Sequence, residues 1–218
     1  MLVPPHYQQE DPSWSRSVIT DNPLALLISA HEGEIFTSHV PVIPSSDEDL
    51  TRGSGPVGLN GCRLLGHLNR SNPHWTSLRN GSRLVFTGPG AYVTPSIYGT
   101  TPAAPTWNFI AVHLTGRVRR LTGKAAALHV VMETVKRLEE SHGSGWDMTE
   151  SIPYFEEIVG GIGAFEFEVT ESQAMFKLSQ EKSPQVRRAV ADALETTEAG
   201  EQVAAAMHRF GCPAQARP

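Results

Sequence analysis

Between residues 88 and 109 the chain reads GPGAYVTPSIYGTTPAAPTWNF, a stretch dense in side chains suited to holding a ligand. Tyr92, Tyr98, Trp107 and Phe109 offer aromatic faces, with the hydroxyls of Thr94, Ser96, Thr100, Thr101 and Thr106 between them. Such a mixture fits a flat ligand with polar substituents, and it equally fits a surface hairpin whose aromatics pack the core. Pro95, Pro102 and Pro105 each lack a backbone donor and restrict the residue before them, so positions 94 to 105 are expected to form a loop.

His39, His67 and His113 lie on three expected strands and are the histidines that could converge on a metal. A lone strand histidine is more often a core or surface residue, so no metal is expected. GxxxxGK[ST], HExxH, GxSxG and paired CxxC motifs are absent from the sequence, which removes the most recognisable P-loop, zinc and serine-hydrolase signatures. Cys62 and Cys212, the two cysteines, stand in neither a metal nor a redox spacing and are assigned no role.

The elements that must position these residues read as mainly β. Asp11-Pro12 opens a short helix that ends before Asn22-Pro23. LALLISAH and EIFTSHVPVI flank Glu32-Gly33 as a hairpin, and residues 44 to 60 form a loop. CRLLGHL is a strand, Asn72-Pro73 starts a short helix, and SRLVFTG resumes the sheet. From Thr106 to Leu121 runs the longest strand, with Thr106, Asn108, Ile110, Val112 and Leu114 on one face and Trp107, Phe109, Ala111 and His113 on the other.

Residues 123 to 142 form an amphipathic helix, followed by a shorter one around Tyr154 to Val159. GAFEFEVTES alternates, burying Phe165, Phe167 and Val169, and is expected to pair with AMFKLSQ. Two closing helices occupy about 184 to 211, the second stopped at Gly211. About seven strands in hairpin order predict an α+β, mainly β chain: one antiparallel barrel domain over 1–218 with peripheral helices.

With 218 residues, a net charge of −5 and no apolar run longer than Leu24 to Ile28, the chain is expected to be cytoplasmic, without a membrane span or secretory signal. The closing helices set Arg187, Arg188 and Arg209 against Asp192, Glu195, Glu198 and Glu201, so nucleic acid is not an expected partner.

Five segments in order carry a family resemblance: VPPHY near the start, GHLNRSNPHW, FTGPGAYVTPSIY, PTWNFIAVHLTGR and FKLSQEK. Together they resemble the PaiB-like proteins, FMN-binding negative transcriptional regulators. The resemblance implies a split β-barrel of the FMN-binding type, a homodimer with flavin at the subunit interface. It also implies a site lined by Arg70, Asn72, Thr94, Pro95, Ser96, Trp107, Asn108, Lys177, Ser179 and Gln180. In such a site Arg70 and Lys177 would hold the phosphate and Trp107 would cover a ring face.

The chain departs from that pattern inside the pocket motifs. Asn69 stands where the family usually has Ala, Ile97 where it has Trp, the short GTTPAA where it has a longer basic loop, and Glu181-Lys182 where it has Asn-Arg. A new carboxylate there opposes a flavin phosphate.

Three readings follow: an FMN-binding regulator, an FMN-dependent oxidoreductase on a small molecule, or a cofactor-free biosynthetic enzyme. For the last, the reaction to expect is a Pictet–Spengler cyclisation of a tryptophan-like amine with an aldehyde or keto acid. Tyr92, Tyr98 and Trp107 would form the ring slot, and Glu181, His67, His113 and Tyr98 are the catalytic candidates.

Overall fold

The structure, a computed structural model, describes residues 1–9, 11–46 and 50–210. Its centre is a closed antiparallel barrel of six strands in the order β1-β2-β3-β6-β5-β4. These are β1 (Leu24–His31), β2 (Glu34–Pro44), β3 (Arg63–Asn69), β4 (Ser82–Val93), β5 (Thr106–Leu121) and β6 (Ile162–Lys177). Around them lie α1 (Pro12–Asp21), α2 (Pro73–Ser77), α3 (Lys124–Ser141), α4 (Ile152–Ile158), α5 (Pro184–Glu195) and α6 (Glu198–Phe210).

The hairpin between β1 and β2 turns at Glu32 and Gly33, both with positive φ, the pairing that matches the natural twist of the two strands. Asp11 accepts a hydrogen bond from the Ser13 amide to cap α1, and Asn72 caps α2 in the same way from the His74 amide. β5 alternates as its sequence predicts, with Asn108, Ile110, Val112 and Leu114 buried inward.

Two expectations about strands fail. GAFEFEVTES and AMFKLSQ do not pair with each other: they are consecutive parts of β6, one 16-residue strand that pairs with β3 along its first half and with β5 along most of its length. No Gly, Pro or Asn interrupts Val169 to Gln173 to make a turn, and the equally long β5 offers a partner throughout. Thr170 is instead a bulge, since Thr115 pairs with Glu171 and Gly116 with Val169. The described strands therefore number six, not seven. β4 also runs on past Thr87, through a register shift at Gly88-Pro89, to Val93.

The barrel interior is filled by Phe86, Phe165, Phe167 and Phe176 with Leu27, Leu64, Leu84, Ile110 and Leu114. A second, smaller core forms where α3 covers the outer side of the barrel, with Ala127 and Val130 against Ile43, Leu65 and Ala164. One end of the barrel is closed by α1 and α6, through a ring cluster of Trp14, Phe176 and Phe210 with centroids 4.8 to 6.1 Å apart. Cys62 is buried in the main core. Residues 47–49 of the expected 44–60 loop, the Gly211 helix stop and Cys212 lie outside the described residues. Among the described residues no helix is long and apolar enough to cross a membrane.

Candidate functional site

β6 ends at Lys177, and the chain then makes a tight turn through Leu178, Ser179 and Gln180. Ser179 holds φ +63°, a left-handed conformation that costs a non-glycine residue on the order of 1 kcal/mol and persists only where neighbours enforce it. The enforcing contacts are visible. Asn108, fully buried on β5, exchanges hydrogen bonds with the Ser179 hydroxyl at 3.0 and 3.1 Å and donates to the Met207 sulfur at 3.4 Å. Gln180 accepts from the Leu178 amide at 2.7 Å and donates to the Phe176 carbonyl. The amide of Lys182 closes the turn on the Ser179 carbonyl at 3.0 Å. Asn108, Ser179 and Gln180 are thus spent, within one chain, on shaping this turn.

What the turn presents is Glu181. Its carboxylate lies beside the phenols of Tyr7 and Tyr98, both buried. Burial first, and then the Glu181 charge, pushes the Tyr7 phenol up to about 12. The Tyr98 phenol is also raised, by burial, by Glu181 and by nearby Tyr92. Both phenols therefore stay protonated at neutral pH and can donate. Two ammonium groups flank them: Lys177 stands 5.9 Å from the Tyr7 ring centroid and Lys182 4.8 Å from that of Tyr98. Lys182 is also 3.8 Å from the Glu181 carboxylate, and Lys177 donates to the Thr106 hydroxyl at 2.5 Å. The Tyr98 hydroxyl is buried and makes no hydrogen bond among the described residues. A buried polar atom without a partner is costly, which makes this hydroxyl a candidate for contact with a ligand.

Tyr98 ends a short 3-10 turn, Pro95–Tyr98, capped by the Thr94 hydroxyl, which also lies 3.1 Å from that of Ser96. The 94–105 loop is as the prolines predict. Tyr92 and Trp107 do not pack the core; they point outward from β4 and β5, edge to face at 6.2 Å.

The remaining candidates lie elsewhere. Arg70 and Asn72 follow β3 at the opposite end of β6: Asn69 pairs with Ile162, and the Arg70 guanidinium donates to the Ile162 carbonyl at 3.1 Å. About 50 Å of strand contour separates Ile162 from Lys177 at the usual rise per residue. His67 pairs with Ala164 on the outer side of β3, its Nδ1 buried without a partner. His113 pairs with Gln173, itself bonded to the N-terminal amine at 2.6 Å. Burial lowers the pKa of both histidines, assisted at His113 by the N-terminal charge and Arg83. The structure thus brings Glu181 and Tyr98 together and leaves His67 and His113 apart from them. His39, on β2, pairs with Leu26 of β1, and among the described residues no three potential metal ligands converge.

Two groups escaped the sequence reading. Tyr7 sits within the VPPHY segment, but only the folded chain lays that segment beside β6. His74, from NPHW, is buried in a chain of hydroxyls: Asn72 donates to Ser38, Ser38 meets His74 Nδ1 at 3.0 Å, His74 Nε2 meets Ser29 at 2.9 Å, and Ser29 meets Ser82 at 2.7 Å. Ser82 donates to the Arg79 carbonyl, so Ser29 must donate to Ser82 and His74 must carry its proton on Nε2. Every member is then satisfied with a neutral ring, and burial lowers the His74 pKa to match.

Comparison with known proteins fits this geometry. The sequence profile described as "Putative FMN-binding domain" matches residues 1–171. The chain belongs to that FMN-binding family. Protease synthase and sporulation protein PAI 2 of Bacillus subtilis is 24% identical over 187 residues, covering 84% of each chain, so the PaiB-like resemblance holds. Among solved structures, an FAD and heme binding protein of Mycobacterium smegmatis superposes with a TM-score of 0.57 at 11% identity, covering 84% of this chain and 79% of its own. A flavocytochrome of Azotobacter vinelandii gives 0.54 at 14% identity, covering 78% and 69%. These two share the split-barrel fold. The family match ends within β6, so α5, α6 and the Glu181 turn lie beyond it.

Proposed function

We propose that this chain is a small-molecule enzyme on an FMN-binding barrel: an FMN-dependent oxidoreductase acting as a homodimer. One observation carries the proposal. The polar residues attributed to the flavin site by family resemblance fall into two sets at opposite ends of β6, Arg70 with Asn72 and Lys177 with its neighbours. A second copy that brings its Arg70 end to the Lys177 end of the first would complete one site from two halves.

The residues fit the group in that arrangement. Arg70 spends one bond on a backbone carbonyl and keeps an exposed guanidinium for a phosphate, while Lys177 and the unpartnered Tyr98 hydroxyl offer donors. When bound, FMN supplies hydride-transfer chemistry. Glu181 and Tyr98 would move protons to and from the substrate. The proposal keeps the cytoplasmic location expected from the sequence, and a DNA-binding role draws no support from the acidic residues of α5 and α6. Titration of the purified protein with FMN tests it: absorbance at about 450 nm should develop with saturable binding. That binding should weaken in Arg70→Ala and in Lys177→Ala. A colourless protein that ignores FMN refutes it.

Glu181 favours a second reading, a cofactor-free Pictet–Spengler cyclisation. There an arylethylamine and an aldehyde lose water to form an iminium, the ring carbon attacks it, and a ring proton is lost. Tyr98 would donate to the departing water and Glu181 would take the ring proton. Incubation with tryptamine and an aldehyde should then give a product whose mass is the sum of the two less one water. Absence of that product with any aldehyde or keto acid sinks this reading.

A further inference from the structure

Tyr92 and Trp107 are directly opposite each other in the β4–β5 register, and both are about half in water, 52% and 56% exposed. Paired exposed aromatics on a rigid strand pair mark a surface that something covers. Facing them is the elbow where α5 ends and α6 begins, with Ala193, Thr197 and Gly200 across an open groove of about 460 Å³. Gly90, two residues before Tyr92 on β4, lines the same groove. The volume falls in the range of small-ligand sites, and the small residues leave slot-like room opposite the rings.

The electrostatics select among flat ligands. The faces of Trp and Tyr rings attract cations. Glu198 and Glu201, both exposed, flank Gly200 in the first turn of α6. We infer that this groove binds a planar aromatic amine, and that the α5–α6 elbow, beyond the residues matched by the family profile, decides which ring it accepts. The inference rests on the small-molecule enzyme reading, and it gives that enzyme its substrate class. Tyr92 also lies close enough to Tyr98 to contribute to the rise in its pKa.

The test is calorimetric titration of the full chain with tryptamine, indole and indole-3-acetate. Tryptamine should bind most tightly and indole-3-acetate least. Trp107→Ala should weaken tryptamine about tenfold, as befits loss of a desolvated cation–π wall. Gly90→Leu should abolish binding by filling the groove. A β-carbon at Gly90 meets nothing closer than the Phe109 β-carbon at 3.4 Å, so the strand accommodates it. Ala193→Trp should do the same from the elbow. Thermal unfolding of each variant checks the fold, and Trp107→Ala, at an exposed position, keeps the test open if a filling variant unfolds. No tryptamine binding by the native chain, equal affinity for indole-3-acetate, or tryptamine affinity unchanged in Trp107→Ala or in folded Ala193→Trp overturns the inference. Tight tryptamine binding without turnover or flavin uptake leaves the groove standing and sinks the enzyme reading alone.

Discussion

Tyr98→Phe separates stability from function at one atom. The side chain is 9% exposed, and its hydroxyl is buried without a hydrogen-bond partner among the described residues. Leaving such a group unsatisfied costs roughly 1–3 kcal/mol, and removing it recovers that penalty while the ring keeps its packing. Lys182 sits 4.8 Å over the ring centroid, and a phenylalanine face preserves that contact. We take the low end, about 1 kcal/mol, because the new edge leaves a small void where the oxygen was. For a chain of this size that gain corresponds to a rise of about 2–4 °C in Tm. Turnover should move the other way, down by about 10², if the hydroxyl serves the reacting group as a proton donor. Paired urea and thermal unfolding curves, with turnover measured on the same preparation, read both signs. A variant less stable than the native chain by 1 kcal/mol or more would mean that the hydroxyl is bonded in the native state. If turnover were also unchanged, the site assignment would fall.

Glu181→Gln should cut turnover by about 10² or more while leaving the turn intact, because the Gln180 side-chain oxygen on the Leu178 amide and the Ser179 carbonyl on the Lys182 amide hold it. The same change removes a charge that raises both phenols, so alkaline titration followed by phenolate absorbance should show the Tyr7 transition falling from about 12; an unmoved transition would place Glu181 away from Tyr7. His67, His74 and His113 all have folded pKa values below the ordinary 6.5, burial being the first cause at each. The unfolded chain therefore binds protons more readily. Stability should be full above pH about 6.5 and lost as pH falls through the lower folded values, and a Tm that is flat or rising on acidification would contradict the buried neutral imidazoles. Gly66→Ala places a β-carbon 2.5 Å from the ring of Phe165, which is fully buried, so it should destabilise the barrel by about 1–3 kcal/mol in urea unfolding; a neutral result would mean that the ring has room to move.

Much of the barrel is written locally in the chain. Asp11-Pro12 and Asn72-Pro73 start helices because a side-chain acceptor and a preset φ act on their immediate neighbours. Glu32-Gly33 makes its hairpin, and alternation assigns Thr106 to Leu114 of β5 to their faces, because the strand period is a property of the backbone itself. The continuous β6 was not legible, since an alternating run with a bulge at Thr170 looks like two strands until a long partner pairs with both halves. The site divides the same way. Residue type marked Tyr98 and Trp107, the order of motifs marked the family, and the family resemblance marked Lys177 and, as a departure from its pattern, Glu181. Only the tertiary structure laid Tyr7 beside Glu181 and spent Asn108, Ser179 and Gln180 on the turn that presents it. Only the tertiary structure set His67 and Arg70 at the far end of a long strand and placed the α5–α6 elbow across an open groove from Tyr92 and Trp107. Those relations depend on contacts between residues as far apart in the chain as Tyr7 and Glu181, which no local propensity encodes.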